Sequence, residues 1–159
     1  MMTPESLVRG HHASGRYRST HEIEDLVRAF EDTTLPYPGW THGAHLTVGL
    51  WYRLWYGSDD GLQRVRAGIQ RYNAAHANEP MRVGYHETMT RFWLWMIEDY
   101  LGRTPIAGSL ADLANGLVAA CVDRELPFRY DSRERLMSDT ARATWVVPDL
   151  RRLPELRRG

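Results

Sequence analysis

The chain has 159 residues, 43% of them hydrophobic, six of them Trp, and a formal net charge of +0. That length and apolar content fit one domain with a real core, and the balanced charge creates no general attraction for nucleic acid or an anionic membrane. No run of about 18 apolar residues marks a membrane span, and MMTPESLVRGHHASGRYRST lacks the apolar centre of a secretory signal, so the expected compartment is the cytoplasm.

Residues 1–18 read as a flexible lead, 19–150 as one helical domain and 151–159 as a basic tail. All 20 basic residues are Arg, and they cluster only in the tail RRLPELRRG, which reads as a solvated end. The single Cys121 excludes an intramolecular disulfide and any Cys-rich zinc site.

In chain order, the first helix opens at Ser19, with Glu22 three residues on as a capping box. Its stripe is Ile23, Leu26, Val27 and Phe30, and Pro36 and Pro38 forbid its continuation. The second helix runs from an N-cap at Thr41 to Tyr56, with Gly57 as its C-cap. A third follows the SDDG turn with Leu62, Val65, Ile69 and Tyr72 at helical spacing. After the polar loop AAHANEPMRVG, a fourth covers roughly Tyr85 to Leu101, and a fifth starts at Ser109. Beyond Pro127 the pattern predicts one or two short helices, the latter capped by Ser138. No period-two pattern persists. The expected fold is all-α, a single-domain antiparallel bundle of about five helices with an irregular C-terminal wrap.

Histidine is the candidate chemistry. At about 100° per residue, His42 and His45 share one strip of the second helix, which is apolar nearly all round and therefore expected to be central. Gly49 leaves space one turn beyond His45. On the fourth helix, Met89, Trp93, Ile97 and Tyr100 define an inner face with His86 at its middle. Buried imidazoles need partners. A shared divalent transition metal supplies one, with Fe or Zn first and Cu or Ni as alternatives. Three His with an open position is a catalytic pattern of ligation.

A further ligand could be Glu87 or a first-helix carboxylate, Glu22 or Glu31. Glu87 could instead act as a general base, or form an i,i+4 ion pair with Arg91. The alternative for the histidines is a hydrogen-bonded polar core. His21 and His76 fall in cap and loop contexts.

FEDTTLPYPGWTHGAHL, GYHETMTRFW and YDSRERLMSDTARATWVVPDL together resemble a family of small bacterial helical proteins of unassigned function. The resemblance spans most of residues 30–150 and implies one compact unit that includes the tail motif; it supplies no substrate. In that motif Tyr130, Ser132, Arg135 and Arg142 could bind a substrate anion, or pin the tail by pairing with Asp or Glu.

The functional expectation is a small mononuclear metalloenzyme acting on a small organic substrate, hydrolytic or oxidative. Its metal set is His42, His45, His86 and Glu31, with Glu87, Tyr130 and Arg135 as catalytic candidates. The alternatives are a non-enzymatic helical module for a metal or small ligand, and a structural protein with hydrogen-bonded core histidines.

Overall fold

The computed structural model describes residues 16–79 and 84–157; His11, His12 and the rest of 1–15 lie outside them. Helix α1 spans Thr20–Glu31. A 3-10 turn, Tyr37–Gly39, leads to α2, His42–Ala75. Helices α3, Glu87–Arg103, and α4, Leu110–Ala120, complete the body. The wrap holds a second 3-10 turn, Leu126–Arg129, then α5, Arg133–Leu136, and α6, Asp139–Ala143. No strand occurs among the described residues, so the fold is all-α.

Local chemistry accounts for the helix starts. Ser19 Oγ accepts from Glu22 N, and Thr41 Oγ1 from Ala44 N. The first capping box is only half made, because the Glu22 carboxylate takes the N–H of Arg18 rather than that of Ser19. The complete box lies at α4, where Ser109 and Asp112 exchange both bonds. Helix α1 buries Ile23, Leu26, Val27 and Phe30, the stripe its spacing predicts.

Helix α2 is the central element and touches α1, α3 and α4. Gly57 interrupts it. The residue adopts φ 80° and ψ −174°, outside helical backbone, so two helices meet across a kink there, dividing at the glycine as the sequence expects. Leu46, Val48, Leu50 and Tyr52 are buried, Leu54 and Trp55 are 40% and 65% exposed, and burial resumes with Val65 and Tyr72. The space beside Gly49 is not open. A Cβ there would lie 2.9 Å from Ile97 Cδ1 of α3. Gly68 likewise admits Phe30 of α1, whose Cε1 would lie 2.8 Å from an added Cβ. Both glycines let neighbouring helices approach closely rather than making room for a ligand.

The wrap is tied to the body by backbone and side-chain bonds. Leu150 N donates to Tyr130 O, and Ser132 donates through N and Oγ to Asp149. Trp95 Nε1 of α3 donates to Pro154 O at 2.9 Å, and Leu153 packs on the core. The segment after residue 150 thus runs against the bundle.

The kink gives a direct prediction. Gly57→Ala would force a side chain into a backbone region that is essentially glycine-only, at a cost of about 1–3 kcal/mol, although nothing lies within 4 Å of the added Cβ. Urea unfolding should show that loss. Unchanged or increased stability would mean that the chain does not kink there.

Candidate functional site

The three histidines singled out by the sequence each have a separate partner. His86 is the N-cap of α3, with φ −135° and ψ 107°. It is not helical, so wheel geometry does not place it on an inner face. Its Nδ1 accepts from Met89 N at 3.1 Å, and its Nε2 donates to Leu136 O in α5 at 2.8 Å. That pair of roles fits only the neutral Nε2–H tautomer.

His42 Nε2 donates to the carbonyl of Cys121, the C-cap of α4, while the ring lies edge-on to Trp93. It satisfies a carbonyl that the helix end would leave without a partner. His45 Nδ1 donates to Thr41 O at 2.7 Å, and its ring stacks on Trp40 with centroids 3.7 Å apart. Desolvation lowers the pKa of all three, against the opposing pull of their backbone bonds.

The expected metal set is not assembled. Glu31, at the end of α1, accepts from Tyr52 Oη at 2.7 Å. Among the described residues, no group of three or more His, Cys, Asp or Glu is placed to hold a metal ion. Tyr130 is buried against Phe92, and Arg135 Nε donates to Val147 O at 2.8 Å. Arg135 also lies 3.9 Å from Asp131 Oδ1, the buried side-chain oxygen with no hydrogen-bond partner among the described residues. Desolvation, then the charge of Asp149, raises the Asp131 pKa. These two candidates hold the wrap in place.

Glu87 leads elsewhere. Its carboxylate takes Arg66 Nε at 2.8 Å and Arg66 Nη2 at 2.7 Å, a two-pronged pair that joins α2 to α3. Tyr85 Oη donates to the same carboxylate at 2.6 Å. Arg66 first, against the cost of burial, holds the Glu87 pKa below the usual carboxylate range. The i,i+4 partner Arg91 is therefore not its hydrogen-bonding partner. Arg91 instead sits over the Trp145 ring, 5.3 Å from its centroid.

These groups line one cleft of about 460 Å³ between α2, α3 and the wrap, bounded by Arg66, Tyr85, Glu87, Arg91, Arg142 and Trp145. Three guanidiniums face one carboxylate. Arg66 is engaged by Glu87 and by Gln63. Arg142 uses only Nη1, toward Gly84 O and Tyr85 O at 3.2 and 3.4 Å. Among the described residues Arg91 makes no hydrogen bond and neither Arg91 nor Arg142 makes an ion pair. Two cations with available N–H donors therefore share one concave surface. Sequence reasoning named Glu87 and Arg142, named Arg91 only as an ion-pair partner of Glu87, and missed Arg66, Tyr85 and Trp145. Only the Arg-for-anion chemistry of the tail motif pointed here.

Replacing His86 separates its two bonds. His86→Ala removes the cap and leaves a buried carbonyl unpaired, a loss of about 2–4 kcal/mol. His86→Asn keeps a capping acceptor and should lose less. Because folding lowers the His86 pKa, the folded state binds fewer protons between the folded and unfolded values. Stability is then full above the unfolded value of about 6.5 and falls as pH drops below it. Urea titrations from pH 7.5 to 5.5 should show that decline, shallower in His86→Asn; a flat wild-type profile would contradict it.

Compared with models of known protein families, with curated proteins and with solved structures, the chain matches none, so no relative lends this cleft a ligand.

Proposed function

We propose that this protein is a helical small-ligand-binding module whose cleft takes a small organic anion. The observation that carries this reading is the placement of Arg91 and Arg142 at one cleft, each with N–H donors not engaged among the described residues. Guanidinium forks suit carboxylate and phosphate oxygens, and they keep their charge at every physiological pH. The cleft volume falls within the range of small-molecule sites, and Trp145 and Tyr85 offer apolar walls to an organic body.

Glu87 serves here as an anchor. Bound by Arg66 and Tyr85 and held at a lowered pKa, it is a poor proton acceptor near neutral pH. Its role is to fix Arg66 and neutralise it, so that the charge offered to a ligand comes from Arg91 and Arg142. A histidine metal centre has less support from the geometry. Binding a metal through His86 would break either the cap on α3 or the bond to Leu136.

Calorimetric titration with small carboxylates and inorganic phosphate at low ionic strength tests the reading. Binding should raise the melting temperature, as any ligand selective for the folded state does. Arg91→Gln, an exposed position, should weaken binding by about tenfold or more while leaving the unliganded melting temperature nearly unchanged. Zinc added to the metal-free protein should leave the melting temperature unchanged. A zinc-dependent rise with no response to any anion would overturn the anion reading in favour of a metal centre.

A further inference from the structure

The walls of the cleft are separately built and tightly joined. Arg91 stands on α3 and Arg142 on α6 of the wrap. Thr88 Oγ1 donates to Thr144 O at 2.8 Å and accepts from Val146 N at 3.2 Å, so one hydroxyl joins α3 to the strand-like segment carrying Trp145. His86 adds the bond to Leu136 O. Helix α3 and α6 are therefore held in one arrangement without a ligand, and the two guanidiniums are presented from fixed bases. Arg91 is steadied further by the Trp145 face, and Arg142 by two carbonyls.

Charge balance then limits the ligand. Glu87 cancels Arg66, so among the described residues the cleft keeps two positive charges, one on each wall. A single carboxylate engages one fork and leaves the other cation facing a half-filled cleft. A ligand with two negative charges satisfies both walls, and each contact is a charge-assisted hydrogen bond from a donor that already faces the cavity. A third negative charge would meet Glu87.

Resting on the anion-binding reading above, we infer that the cleft selects doubly charged small anions, bridging Arg91 on α3 and Arg142 on α6. The shared chemistry is a dianion. It can come from two carboxylates on a short organic chain or from one phosphate group.

The test compares succinate, its monoamide and inorganic phosphate against the full chain at pH 8 and constant ionic strength, by isothermal titration. The bridging geometry predicts that succinate binds at least about tenfold more tightly than its monoamide, a difference expected from one added charge-assisted contact. Arg91→Gln and Arg142→Gln should each bring succinate down to the level of the monoamide. Arg91 makes no hydrogen bond among the described residues, so its variant reports on the site even if Arg142→Gln loosens the wrap. Tight phosphate binding with weak succinate binding, lost in the same two variants, supports the dianion and assigns both charges to one phosphoryl group. Equal affinity for succinate and its monoamide would overturn the two-charge inference and leave the anion site standing. No binding of any of the three, with wild-type and Arg91→Gln indistinguishable, would overturn both.

Discussion

The imidazole of His86 joins two parts of the chain 50 residues apart. One nitrogen starts α3 by accepting the Met89 N–H; the other holds α5 through the Leu136 carbonyl. Several contacts of the cleft are made beside this ring. Tyr85 and Glu87 flank it in sequence, Thr88 reaches the backbone of Thr144, and Arg142 closes onto the carbonyls of Gly84 and Tyr85. A neutral ring hydrogen-bonded through both nitrogens in a buried position has less freedom than a solvent-facing one. It sets where α3 begins and how the wrap returns.

Histidine has a common theme in this chain. His42 satisfies the carbonyl at the end of α4, and His76 donates to Tyr72 O at the end of α2 while stacking on the Tyr72 ring. His45 bonds back to Thr41 O and continues the aromatic stack Phe30, Trp40, His45. His42 and His86 meet backbone groups that helix ends leave open, whereas Thr41 O and Tyr72 O already take the N–H groups of His45 and His76. All four rings lie near helix starts or stops, a clustering that invites a metal reading on a wheel.

Much of the body was legible because its causes are local. Caps at Ser19, Thr41, Ser109 and Ser138, and the α1 stripe, depend on residues within four positions. The break at Gly57 is legible for the same reason, because a positive φ between two helices calls for glycine. His86 was misplaced because wheel geometry assumes helical backbone, and the cap residue lies just outside it. The cleft was the least legible part. Arg66 meets Glu87 across 21 residues and Trp145 meets Arg91 across the wrap, and no short-range pattern distinguishes these Arg residues from the other solvated ones.

The protonation pattern of the imidazoles tests the central claim most directly, because it reads the bonding of each ring. Long-range nitrogen–proton correlation spectra at pH 7.5 should show His86 and His42 as neutral Nε2–H tautomers and His45 as the Nδ1–H tautomer. Added zinc should leave the His86 nitrogens unmoved. A His86 ring protonated on Nδ1, charged at that pH, or shifted at Nδ1 or Nε2 by stoichiometric metal would contradict the structural role on which the fold and the cleft both depend.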